Sequence, residues 1–108
     1  MQVRYKVWLE EGEHVFGDGL FSLLREIDRL GSINRAAQSL HMSYRQAWGR
    51  VKKAEERLGI DLLVTRTGGE DGGGAELTKE GRELMEKYNL FRREVDKAIK
   101  ACYQAYFG

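Results

Sequence analysis

Arg45, Gln46, Gly49, Arg50 and Lys53 fall within nine residues of one another, and their spacing is helical. At about 100° per residue, Arg45, Gly49, Lys52, Lys53 and Glu56 lie opposite the apolar stripe Ala47, Val51, Ala54 and Leu58. A face of this kind suits a polyanion that carries a readable edge. Arginine pairs bidentately with guanine O6 and N7, and glutamine with adenine N6 and N7, so Arg45 and Gln46 have the chemistry of base readers. Arg50, Lys52 and Lys53 sit deeper along the helix and suit phosphates, as does Arg35 just upstream. Gly49 removes a side chain from the middle of the face and lets the backbone come close. Ser43, Tyr44, Arg45 and Gln46 form the first turn, the part that reaches base edges when such a helix enters a major groove. Tyr44 can cap the core as easily as touch a base. Trp48, beside Ala47 at the edge of the stripe, reads as packing.

Other chemistries lack their residues. Two histidines 27 positions apart, a single cysteine (Cys102) and no paired-carboxylate pattern supply neither a nucleophile nor a metal set, so no enzyme and no cofactor are expected. The glycine-rich segment is not a phosphate loop, because no Lys-Ser/Thr pair and helix follow it. With 108 residues, 42% of them hydrophobic, the chain suits one compact domain. No apolar run approaches the roughly 20 residues of a membrane span and the N-terminus has no signal-like stretch, so a cytoplasmic location is expected. The net charge of +1 conceals an asymmetry: residues 32–58 carry a net +4, whereas residues 1–31 and 59–78 are net acidic. Contact with a polyanion depends on charge within about 8 Å, so the local block outweighs the total.

The elements that must hold this face are legible in outline. Val3, Tyr5, Val7 and Leu9 alternate with polar neighbours as a half-buried strand does, with Trp8 on the polar side, where it covers another element or a partner chain. Asp18 stands where an N-cap belongs, and Leu20, Leu23, Leu24, Ile27 and Leu30 mark a first helix ending at Gly31. Ser32 caps a short second helix, and Ser43 a third that stops at Gly59. The corner between them, at His41, needs a left-handed residue, which histidine tolerates; its reading is structural. Residues 62–67 and 75–77 form a hairpin around a tip holding five of the thirteen glycines. Thr78 caps a fourth helix running to about Tyr106, ~40 Å long.

Ser32-Ile33, Ala36-Ala37, the run from Met42 to Trp48, and the segment from Gly68 to Thr78 resemble the N-terminal DNA-binding domain of ModE-type, molybdate-responsive transcription regulators. Leu77 to Gly81 also resembles the start of the long helix in LysR-type regulators. The resemblance implies an α+β, mostly α fold: a winged helix-turn-helix with a small antiparallel sheet over residues 1–78, continuous with a long C-terminal dimerisation helix over residues 79–108. It implies a homodimer on double-stranded DNA, the third helix in the major groove and the hairpin as a wing. DNA contacts are expected from Arg35, Ser43, Tyr44, Arg45, Gln46, Gly49, Arg50 and Lys53, and from Arg66, Gly72 and Gly73 on the wing. Glu70 and Asp71 at the wing tip weaken its grip on phosphate. No residue matches the molybdate-binding modules of the family, whose place lies beyond residue 108, so oxyanion sensing is not carried over; either constitutive DNA binding or sensing by a separate protein is expected.

Leu84, Tyr88, Phe91, Val95, Ala98, Cys102 and Ala105 step by four and three along the fourth helix, a seam of heptad type. Leu84 and Met85 are expected to pack back on the domain. Tyr88, Phe91, Val95, Ala98 and Cys102 are expected to meet a second chain, with two reading heads ~34 Å apart on a pseudo-palindromic site. The alternative is a winged-helix module that binds protein through its wing or fourth helix.

Overall fold

The computed structural model describes residues 1–66 and 73–108, apart from the His14 side chain. In chain order the elements are β1 (Trp8–Glu10), β2 (His14–Gly17), α1 (Asp18–Leu30), α2 (Ile33–Ser39), α3 (Tyr44–Leu58), β3 (Leu63–Arg66), β4 (Gly74–Leu77) and α4 (Lys79–Phe107). Two two-stranded antiparallel sheets, β1–β2 and β3–β4, flank a core of helices. This is the winged helix-turn-helix expected from the sequence. The wing is β3–β4, and Gly72 and the acidic tip lie outside the described residues.

The helix boundaries follow from their caps. Ser32 Oγ accepts from the Arg35 amide at 3.1 Å, and Thr78 Oγ1 accepts from the Gly81 amide at 2.9 Å. Gly31 and Gly59 end α1 and α3 in the left-handed conformation, with φ near 70°. The helix-turn-helix corner uses the same device without glycine. His41 has φ 57°, its amide donates to the Gln38 carbonyl, and the Met42 amide donates to that of Ala37 at 3.0 Å. Those two bonds form a Schellman motif, which favours glycine at the left-handed position. His41→Gly relieves the Cβ conflict there, and we expect a gain of roughly 0.5–1 kcal/mol in chemical denaturation. An unchanged or lower midpoint would contradict it.

Apolar stripes on the helices meet as their spacing requires. Leu20, Leu23, Leu24 and Ile27 of α1, Ile33, Ala36 and Ala37 of α2, and Ala47, Val51 and Ala54 of α3 are buried, with Leu62 and Leu77 closing the wing side. The alanines let the helices approach closely. The Ala75 amide donates to the Gly31 carbonyl at 2.9 Å, so the end of α1 is tied to the wing. Leu84 and Met85 pack on the core, as anticipated.

Three expectations fail, each for a local reason. The first strand is only Trp8–Glu10: β2 has four residues before the chain turns into α1, so residues 1–7 find no partner strand. They run beside α4 instead, where the Tyr5 hydroxyl bonds Asp96. Asp18 is the first residue inside α1 and not its N-cap; Gly17 is, and the Asp18 carboxylate turns to Tyr88 and Arg92. Tyr88 does not lie on an intermolecular seam. It is 2% exposed, its ring 4.9 Å from Phe16 and 5.7 Å from Phe21, and its hydroxyl donates to Asp18 at 2.6 Å. The first hairpin and α1 supply the cover that a partner chain was expected to give.

Candidate nucleic-acid interface

The amino end of α3 is held rigidly. Ser43 Oγ accepts from the Gln46 amide and Gln46 Oε1 accepts from the Ser43 amide, both at 3.0 Å, a reciprocal capping box. The box fixes the direction of the helix and also uses Ser43 and Gln46. One lone pair of Oε1 is engaged, leaving Gln46 its amide donors and a second lone pair. The donors can bond N7 or O6 of a purine, and pairing with adenine at both N6 and N7 uses that second lone pair.

The exposed face of α3 carries Arg45, Gly49 and Glu56, all in solvent. A side chain built at Gly49 would meet nothing within 4 Å, so the glycine serves no packing need inside the chain. Among the described residues no acidic group lies within salt-bridge distance of Arg45 or Arg50. Arg50 stands against Gly19 at the start of α1, on the flank of α3 that faces the first hairpin.

Lys53 and Arg57 occupy the same flank, and Glu13 takes both: Lys53 Nζ is 3.6 Å and Arg57 Nη2 2.7 Å from its Oε1. Nothing in the sequence signals a partner forty residues away. The pairs are exposed and therefore worth little to stability, yet they set the charge presented to a polyanion. Glu13→Gln should leave stability within about 0.5 kcal/mol. It should also steepen the salt dependence of binding to random duplex DNA, by roughly one phosphate equivalent per cation released. Fluorescence anisotropy between low and moderate salt reads that slope, and an unaltered slope would show that Lys53 and Arg57 do not reach phosphate.

The opposite flank borders the wing. Tyr44 is 51% exposed and stacks on Trp48 with an 8° interplanar angle; Lys52 Nζ lies 4.5 Å above the Trp48 ring and 3.0 Å from Glu55. Trp48 packs against the core, as its position at the stripe edge implied, and it also orients a lysine and a tyrosine. Together with Ser32, Asn34, Thr65, Arg66 and Gly73 this stack lines a cleft of about 240 Å³ between α2, α3 and the wing. Asn34 and Thr65 carry no sequence signal that singles them out. Arg66 is exposed at the end of β3, 3.9 Å from Glu76, and Gly73 has φ 115°. Arg35 is exposed on α2. The candidate residues thus fall into three groups around α3: the cap and exposed face, the hairpin flank, and the wing cleft.

Nothing in the sequence singles out Glu55. It is 8% exposed, and its Oε2 accepts from the amides of Leu62 at 2.8 Å and Leu63 at 3.4 Å. This carboxylate ties the start of the wing to the third helix. Among the described residues no group of three or more His, Cys, Asp or Glu could hold a metal ion, and no helix is long and apolar enough to cross a membrane.

Residues 19–82 match the family described as bacterial regulatory helix-turn-helix protein, lysR family. The transcriptional regulator ModE of Haemophilus influenzae is 38% identical over 77 residues, which cover 71% of this chain and 30% of that protein. The DNA-binding transcriptional dual regulator ModE of Escherichia coli K12 is 36% identical over 101 residues, 92% of this chain and 38% of that one. The chain therefore spans about a third of the length of these relatives. Among solved structures, the DNA-binding domain of CbnR in complex with DNA superposes with a TM-score of 0.58 at 24% identity, covering 78% of this chain and 95% of that domain. Full-length CbnR with its target DNA gives 0.56 at 23% identity, covering 81% and 27%. These last two likenesses bear on the fold. The family match spans the helix-turn-helix, the wing and the first turn of α4, the elements that build the interface: the chain belongs to the lysR family of bacterial regulatory helix-turn-helix proteins.

Proposed function

We propose that the chain binds double-stranded DNA sequence-specifically as a homodimer and regulates transcription in the cytoplasm. In this reading α3 lies in the major groove, Arg45 and Gln46 address base edges, and Arg35, Arg50, Lys53 and Arg66 address phosphates. The observation that carries the reading is the open face at Gly49, beside an arginine that pairs with no acidic group among the described residues. A helix evolved only for solubility gains nothing from an exposed mid-helix glycine, which costs about 1 kcal/mol relative to alanine. The relatives support the same role, since those ModE proteins are named as transcription regulators.

The dimer is supported by the far half of α4. Phe91 is 42% exposed, Ala98 and Cys102 are exposed and Val95 is half-buried, so this face is only partly covered by its own chain. The arm formed by residues 1–7 reaches this edge of the seam only through Val3, which lines a groove with Ile99, Cys102 and Tyr103. Residues 79–92 serve both roles, completing the core and beginning the strut, and the two-fold arrangement calls for a pseudo-palindromic site.

The test begins with duplexes selected by the chain from a randomised pool. Arg45→Ala should weaken binding to the selected site about tenfold and relax the preference at one guanine. Unchanged affinity of the double variant Arg45→Ala, Lys53→Ala at moderate salt would overturn the proposal.

A further inference from the structure

Asp18, Tyr88, Arg92, Tyr5 and Asp96 form a continuous clasp where α4 leaves the core. Arg92 Nε and Nη2 donate to the two carboxylate oxygens of Asp18 at 3.0 and 3.2 Å, and the Tyr88 hydroxyl donates to the same carboxylate at 2.6 Å. Arg92 Nη1 donates to the Tyr5 hydroxyl at 3.1 Å, which in turn donates to Asp96 at 2.5 Å; the guanidinium also lies 5.1 Å from the centre of the Tyr5 ring. Bonding to Arg92 holds the Asp18 carboxyl below the usual carboxylate range, and bonding to Tyr5 does the same for Asp96. Burial, reinforced by Asp18, pushes the Tyr88 hydroxyl up to about 12. The clasp therefore keeps its charges throughout the neutral range.

Its position gives it leverage. Tyr88 is the last buried residue of α4, and beyond Arg92 the helix continues about 22 Å to Phe107. A tilt of about 10° between α4 and the rest would move the far end of that helix by about 4 Å relative to the reading head, more than the ~3.4 Å step between base pairs. A bidentate arginine fork fixes angle as well as distance, which a single hydrogen bond does not.

We infer that Arg92, held by Asp18 and Tyr5, is a positioning residue that sets the angle between the reading head and α4. It thereby sets the separation at which a dimer reads two half-sites. This rests on the dimeric DNA-binding reading above. Arg92 touches no base or phosphate in this scheme; it acts through the direction of the helix.

The experiment uses duplexes selected from a randomised pool by the unaltered chain, then rebuilt with one or two base pairs added or removed between the half-sites. The unaltered chain should lose about tenfold in affinity for each wrong spacing. Arg92→Gln should remain dimeric by sedimentation and bind the best-spaced duplex within about threefold of the unaltered chain, with the spacing penalty falling to threefold or less. Arg92→Lys, which keeps the charge but not the fork, should fall between, and Tyr5→Phe gives a milder variant should Arg92→Gln fold poorly. A readout without DNA is the distance between spin labels on the two reading helices, placed by Glu56→Cys in a Cys102→Ala background. Its distribution should broaden when Arg92→Gln is added. Retention of the full penalty by both Arg92→Gln and Tyr5→Phe, or equal weakening at every spacing, would overturn the inference. Selection of unpaired single sites by the unaltered chain would instead defeat the dimeric reading, and the inference with it.

Discussion

Gly81→Ala should lower the stability of the chain by about 2–3 kcal/mol, a fall of roughly 10–20 °C in Tm. Alanine ordinarily strengthens a helix by about 1 kcal/mol over glycine, so the expected change runs against propensity. The cause is a close approach between the third residue of α4 and the backbone that precedes the wing. A Cβ at Gly81 would stand 2.4 Å from the Leu62 carbonyl oxygen and 3.2 Å from the Leu62 Cα. Neither side can retreat cheaply. The Leu62 carbonyl accepts from the Thr78 amide at 2.9 Å, the Thr78 hydroxyl donates to the Asp61 carbonyl, and the Leu62 amide is bound by Glu55. The Leu62 side chain is fully buried, and α4 is pinned one and two turns later by Leu84 and Tyr88. Thermal denaturation of Gly81→Ala beside Glu80→Ala, its exposed neighbour, separates the two effects; Glu80→Ala should stay within about 0.5 kcal/mol. Equal stability of Gly81→Ala and the unaltered chain would mean that the crossing is not tight.

The parts of this structure that were legible in the sequence are those whose signals are local. Ser32, Ser43 and Thr78 cap helices through bonds to residues three positions on. Gly31 and Gly59 stop them, and His41 could be placed in the left-handed corner because the three residues His41 to Ser43 leave room only for a tight corner. The solvent-exposed face of α3 followed from its period alone. What escaped depended on which element covers which. Leu84, Tyr88, Phe91 and Val95 form one unbroken stripe, and no feature of that stripe marks where cover by the same chain ends. The limit is set by the first hairpin, whose Phe16 reaches Tyr88. Glu55 directly follows Ala54 of the apolar stripe of α3; besides Lys52, its partners are the backbone amides of Leu62 and Leu63 at the start of the wing, which leave no mark in side-chain chemistry. Glu13 likewise neutralises part of the basic block from a distance, so the +4 of residues 32–58 overstates the charge that DNA would meet.

A second glycine inside a helix should respond with the opposite sign. Gly49→Leu should raise stability by roughly 0.5–1 kcal/mol and weaken binding to a selected duplex about 100-fold. Gly81 faces a backbone carbonyl, whereas Gly49 faces open solvent with nothing within 4 Å of its would-be Cβ. Leucine is among the better helix formers, so inside the free chain the substitution removes only the conformational cost of glycine. On DNA the same position would stand between the helix backbone and the base edges, one turn from Arg45. A branched side chain there would hold the helix off the groove floor and lengthen the bonds Arg45 can make, and bidentate contacts fail steeply with distance. Phosphate contacts from Arg50 and Lys53 on the flank would survive in part, so binding to random duplex should fall much less than binding to the selected site. The opposed signs make the result diagnostic. A module that bound protein through its wing or its fourth helix would gain the stability and lose nothing in binding, whereas a groove reader should gain the one and lose the other. Calorimetry of the free variant and anisotropy on both duplexes give the three numbers needed. Undiminished affinity for the selected duplex would place the third helix outside the groove.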